Sequence, residues 1–262
     1  MNMELILQSF SGFMLVFCRI TAFFVTAPIF SSRNVPASFK IGFSVFVAFL
    51  TFSGLGLQPV PMDALYVLSI FKEILVGLLL GFIGYMFFTV IQTAGSFIDM
   101  QMGLSMANIL DPMTGTSSPL IGNMKYMLAM LLFLSFNGHH LLLTAIHDSY
   151  SWIPLQNDVF ARMYSDNMVD FMLRTFTDSF GLAFKMAAPM VVALFLTDVG
   201  LGILAKTAPQ FNIFVIGVPL KIIIGLILLV FLFPGMLSIF EMVFTALFTA
   251  MEKFMTLLSG SP

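Results

Sequence analysis

Few side chains in this 262-residue chain could do chemistry. His139, His140 and His147 fall close together, with Asp148 beside the last. A helical zinc pair needs two imidazoles one turn apart, as in H-E-x-x-H, and separations of seven and eight residues do not supply that. The spacing predicts packing histidines with satisfied ring nitrogens, next to a helix interruption or close approach at Gly138. Asp99, Asp111 and Asp198 lie in or beside apolar stretches, where a carboxylate serves an ion path, pairs with a cation or caps a helix end. No Walker, Rossmann or G-x-S-x-G pattern is found, and the serines lack a base at a usable spacing. Cys18 is the only cysteine, so neither an internal disulfide nor a thiolate metal site can be built. The expectation is a non-enzyme with no cofactor and no metal.

The elements that would position these groups are set by composition. The chain is 59% hydrophobic and 9% charged, with a mean hydropathy of +1.03, against the ~25% charged residues of ordinary globular domains. That defines an all-α integral membrane protein in contact with lipid. Charge-free stretches at 41–62, 74–98, 126–147 and 222–240 are each close to the ~20 residues that span a bilayer core. Stretches 5–30 and 178–205 are interrupted by charge, which makes about six helical segments, with 236–258 a candidate seventh. A net charge of −2 and the lack of any Lys/Arg cluster argue against nucleic acid as a partner. The start, Met-Asn-Met-Glu, has no signal-peptide pattern, so the first helix is expected to belong to the mature protein. If the segments alternate, Arg33, Lys40, Lys125, Lys206 and Lys221 share one side, and Asp63, Asp148, Asp158, Asp166, Asp170 and Asp178 the other, favouring an outside N-terminus. The whole of 1–262 reads as one membrane domain: an N-terminal part of about 1–147, a polar connection of about 148–177 and a C-terminal part of about 178–262.

Three helices carry polar or small stripes. In the third segment Glu73, Gly77, Gly81, Gly84, Phe88, Gln92, Gly95 and Asp99 follow at steps of three or four, which places them on one face. The glycines suit close helix approach, and the carboxylates at its two ends call for a protein- or water-lined face. In the first segment Gln8, Gly12, Arg19, Ala22 and Thr26 share a side. A mid-membrane Arg costs roughly 3 kcal/mol on insertion scales, less than fourteen Leu, Ile, Val and Phe residues contribute at ~0.3–0.6 kcal/mol each. Arg19 should therefore face helices or subunits, with Glu73 or Asp198 as a carboxylate partner. The last segment carries Glu241, Thr245, Thr249, Glu252, Thr256 and Ser259, a stripe suited to an interface, a pore wall or another subunit.

Between Lys206 and Lys221 the chain reads K-T-A-P-Q-F-N-I-F-V-I-G-V-P-L-K. Pro209 and Pro219 each remove a backbone donor, so this apolar run is expected to break its helical ladder twice. The freed groups then require burial among helices, with Gln210 and Asn212 at hand to satisfy them. A shared basic, Asn, Pro, Lys character links this run to residues 33–40 and hints at a repeat.

With A-G-x-x-I-D-M-Q-M-G at 94–103, Asp111-Pro112, N-G-H-H at 137–140 and A-P-Q-F-N-I-F-V-I-G-V-P-L-K at 208–221, the chain resembles the FliR family of flagellar type III export gates, related to the SctT proteins of injectisomes. Arg19, Pro28, Pro36 and Lys40 suit the same pattern, and the likeness covers nearly the whole chain. The resemblance implies tilted helical hairpins in a multisubunit pore, with FliP-like and FliQ-like membrane subunits and an FlhB-like switch protein near the entrance. It also implies the bacterial inner membrane and the flagellar basal body as the location, and unfolded flagellar proteins as the cargo. Met102, Gly103, Met106, Ile109, Asp111 and Pro112 map onto the family's gate and plug tract. Pro209, Gln210, Asn212, Gly217, Pro219 and Lys221 map onto an assembly segment. The rival reading is an ion-coupled secondary transporter using Asp99 or Asp198, and an injectisome gate is a variant of the first.

Overall fold

The computed structural model describes residues 3–32, 34–56, 60–61, 65–105, 119–155, 166–210 and 212–259. Among the described residues every regular element is a helix: α1 Met3–Thr26, α2 Ala37–Leu55, α3 Tyr66–Met102, α4 Leu120–Ser135, α5 Gly138–Trp152, α6 Asp166–Thr207 and α7 Ile213–Ser259. Their boundaries have local causes. Pro36 precedes α2 with extended backbone, where its missing donor costs nothing. Gly56 ends α2 in the left-handed conformation at φ +55°, the usual glycine stop. Asn137, at φ +57°, separates α4 from α5, the interruption expected beside Gly138.

Two expectations need correction. Residues 236–258 are not a separate seventh helix but the end of α7, continuous from Ile213. Pro219 does not break the ladder: it lies inside α7, as Pro234 does, and Pro189 lies inside α6. Each proline removes one bond of a ladder that is otherwise intact, whereas unwinding in lipid would expose several groups at once. The polar connection is partly helical, since 148–152 complete α5 and 166–177 open α6. Arg33, Asp63, Asp158, Met106, Ile109, Asp111 and Pro112 lie outside the described residues.

Among the described residues five helices are long and apolar enough to cross a membrane, and α4 with α5 makes a sixth when taken as one span. At ~1.5 Å per residue, α3, α6 and α7 run roughly 55–70 Å, about twice a ~30 Å hydrocarbon core. The apolar window of α3 is 56% buried and that of α7 only 11%. The α3 helix is thus packed within the chain, and α7 turns the apolar surface of that window outward while its C-terminal part, with Leu247 and Phe254, is buried.

The chain divides into two compact units, 1–86 with 134–176 and 245–262, and 87–133 with 177–244. In the first, α1 and α2 form an antiparallel hairpin, with Phe13 against Phe52 and Phe24 against Phe43 at ring distances of 6.3 and 5.2 Å. Its core gathers Leu15, Ile20, Phe23, Ile146 and Phe254, all fully buried. The second is centred on Phe88, Phe133 and Phe244, whose rings meet at 5.0–6.0 Å, together with buried Ile98, Ala129 and Leu194.

Candidate functional site

In the first unit the small residues of α3 admit α1. A Cβ at Gly77 would overlap the Arg19 carbonyl, one at Gly81 the Thr26 hydroxyl, and one at Gly84 the Pro28 ring. That approach seats Arg19, fully buried, beside the fully buried Glu73, and the two form an ion pair. The remaining guanidinium donors go to α5 and its end: Nη1 to the Ser149 carbonyl at 3.1 Å and hydroxyl at 3.0 Å, and Nη2 to the Ile153 carbonyl at 2.8 Å. The guanidinium also lies 4.1 Å from the Tyr150 ring centroid, a cation–π contact strengthened by the absence of water. Lys72 sits 3.3 Å from the other Glu73 oxygen and donates to the Leu155 carbonyl. Of the two partners expected for Arg19, the structure selects Glu73.

The second unit holds the root of the tract assigned to the gate. Gly103, at φ +82°, ends α3. The Gly103 amide donates to the Met100 carbonyl at 3.2 Å and the Leu104 amide to the Asp99 carbonyl at 3.0 Å, the paired bonds of a Schellman stop. The Asp99 carboxylate then accepts from the amides of Ile121 and Gly122 at 3.0 and 3.1 Å. It thereby caps α4 at the end where unpaired donors and the positive end of the helix dipole meet. One residue thus fastens both stems of the 104–119 connection. Lys125, buried one turn further along α4, has Asp99 as its attractive charge.

Close packing supports that root. Gly95 meets Gly122 so tightly that a Cβ on Gly95 would overlap the Gly122 backbone, and Gln92 donates to the Asn123 side chain at 3.1 Å. Met102 is fully buried, its thioether filling the space left by Gly225. Val218 lies beside Gly103. Gln101 donates to Asp198 at 2.9 Å, and Lys221 pairs with the same carboxylate at 2.9 and 3.0 Å. The end of α3 therefore meets α7 at Val218 and Gly225, and Lys221 reaches it through Asp198.

Other expectations fare differently. Pro209, Gln210, Asn212 and Pro219 are exposed on this chain and only Gly217 is buried, so the expected cover of the 206–221 run does not come from its own helices. Asn212 acts through its backbone, its carbonyl accepting from Val215 and Ile216 at the start of α7. The rings of His139 and His140 lie 4.3 Å apart, and among the described residues of this chain the buried Nδ1 of His139 has no hydrogen-bond partner. The lower stripe of α7 borders a groove of about 530 Å³, with Thr245, Thr249 and Glu252 facing Thr144, Asp148 and Trp152 of α5. Lys72, Gln101, Gly122, Lys125, Ser149 and Tyr150 were not anticipated as members of these clusters. The spacing of Gly122 and Lys125, one turn apart on an apolar segment, was the available signal for two of them.

A family model described as bacterial export proteins, family 1, matches residues 10–247. The chain is 45% identical over 260 residues to the flagellar biosynthetic protein FliR of Bacillus subtilis (strain 168), covering 99% of this chain and 100% of that one. It is 34% identical over 233 residues to FliR of Escherichia coli (strain K12), with 88% and 87% covered. Similarity to the Yop proteins translocation protein T of Yersinia pestis is 30% over 238 residues, covering 90% of each. A chain matched nearly end to end in this way belongs to the family of bacterial export proteins, family 1.

Proposed function

We propose that this subunit of the flagellar type III export apparatus forms part of a gated channel for unfolded flagellar proteins, and that the connection following Gly103 is its closure. The observation that carries the reading is Asp99, whose backbone carbonyl ends α3 while its carboxylate caps α4. A closure must be deformable in its middle and fixed at its stems. The middle carries Met106 and Ile109, bulky, apolar and free of hydrogen-bond demand, with Met the more deformable. Such residues exclude water and ions by steric closure and dewetting, and yield when a chain is driven through. The driving energy comes from elsewhere, since the chain carries no nucleotide motif.

The outward apolar surfaces of α6 and α7 and the exposed Pro209, Gln210 and Asn212 supply the area for FliP-like and FliQ-like subunits, with an FlhB-like protein near the entrance and the assembly in the inner membrane at the flagellar basal body. An ion-coupled transporter is disfavoured because both candidate carboxylates already have partners: Asp99 two backbone amides, and Asp198 a lysine and a glutamine. Flagellar use is favoured over an injectisome by 45% identity to a FliR along the full chain against 30% to the Yersinia protein. The test is ion leak through the assembled complex: Met106→Ala with Ile109→Ala should raise resting membrane conductance. A stably assembled double variant with unchanged conductance would refute the closure.

A further inference from the structure

Asp198 stands on α6, opposite the end of α3 on one side and α7 on the other. It is 38% exposed, and its partner Lys221 is 15% exposed. One carboxylate oxygen is shared, accepting from Gln101 at 2.9 Å and from Lys221 at 3.0 Å, while the other lies 2.9 Å from the Lys221 ammonium. Gln101 is followed at once by Met102, locked against Gly225 of α7, and by the Gly103 stop. Three helices therefore meet at one carboxylate, directly at the point where α3 ends. We infer that Asp198 is a positioning residue of the gate: with Lys221 it holds the end of α3 against α7 in the closed state and lets go when the channel widens. This rests on the proposed function above.

Chemistry favours a releasable contact over a permanent one. A fully buried pair such as Arg19 with Glu73 is costly to part, because each charge loses its partner without gaining water. Asp198 is left part-exposed by this chain, so the two groups are not sealed in as they separate, and part-exposed pairs of this kind are worth little more than a neutral hydrogen bond. Gln101 adds one neutral donor to the same oxygen. A contact this weak can bias a two-state equilibrium without locking it, and a coupling at the low end of the usual range corresponds to about fivefold in the closed-to-open ratio.

The experiment uses the full chain in its assembled membrane complex and measures resting ion leak per complex, the amount of complex and secretion of flagellar protein. Asp198→Asn and Lys221→Met should each raise leak about fivefold at unchanged assembly, and Asp198→Lys combined with Lys221→Asp should return it towards the parent value by restoring the pair in reverse. A purely structural role would lower the amount of complex instead, and the swap would not reverse leak. Should Asp198→Asn fail to assemble, Gln101→Leu removes only the neutral bond and carries the same prediction. Parental leak in assembled Asp198→Asn, Lys221→Met or Gln101→Leu overturns the inference. Leak in the Met106→Ala, Ile109→Ala variant beside tight Asp198 variants would discard the latch and leave the closure standing; no leak in either would discard both.

Discussion

Arg19→Met is the sharpest structural perturbation available in the first unit. The side chain is fully buried, pairs with a fully buried Glu73, donates to the Ser149 and Ile153 carbonyls and faces the Tyr150 ring. Methionine fills much of the volume and removes every donor. Breaking a buried pair by deleting one partner costs about 3–5 kcal/mol, because the remaining charge stays desolvated. Lys72, 3.3 Å from Glu73, offsets part of that, and the Ser149 carbonyl keeps the Ile153 amide, while the Ile153 carbonyl loses its guanidinium donor at about 1–3 kcal/mol. A net loss of about 4 kcal/mol lowers a melting temperature by roughly 10 °C in a chain of this size. The assay is thermal aggregation of the purified, detergent-solubilised complex, followed by the amount of this chain remaining in it. Arg19→Met with Glu73→Leu and Lys72→Met should recover much of the loss, since replacing all three charges by apolar groups leaves no uncompensated buried ion. A single variant as stable as the parent, or a triple variant worse than the single, would refute the claim that the pair fastens α1 to α3.

Substitutions at two further positions test the root of the proposed gate tract. Asp99→Ala removes the α4 cap, worth about 1 kcal/mol, and leaves buried Lys125 without its attractive charge, so complex recovery should fall sharply. Asp99→Asn, which keeps an acceptor but not the charge, should fall less, and equal losses would mean that the cap contributes nothing and the charge alone matters there. Gly95→Val drives a side chain into the Gly122 backbone and should cost at least the 1–3 kcal/mol of an overpacked core. Gly42→Ala, with nothing within 4 Å, should be neutral or stabilising by about 0.5–1 kcal/mol, and comparable melting of the two variants would count against the close α3–α4 contact.

The helical class, the number of spans and the stripe on α3 were legible because each depends on local pattern. Glu73, Gly77, Gly81 and Gly84 face α1 in one unit and Gln92, Gly95 and Asp99 face α4 in the other, as a three-and-four spacing requires. What the pattern could not specify was the partner of each polar group. Arg19 had two carboxylates to choose from, and the choice depends on the glycines of α3 admitting α1. The broken ladder at Pro219 was misjudged because a local rule about one missing donor was weighed without the cost of exposing the neighbouring backbone to lipid.

Charge counting illustrates the same limit from the opposite side. The positive-inside rule treats each lysine as a group held in water at one face of the bilayer. Lys72 and Lys125 are instead 3% and 1% exposed, the first committed to Glu73 and the Leu155 carbonyl, the second facing Asp99. With only eleven basic residues in the chain, withdrawing two from the aqueous surface removes much of the asymmetry that an orientation argument needs. The buried lysines therefore report on internal polar nodes rather than on sidedness. The same burial that weakens the topology argument strengthens the structural one, because in a chain so poor in charge each buried ion requires a specific partner.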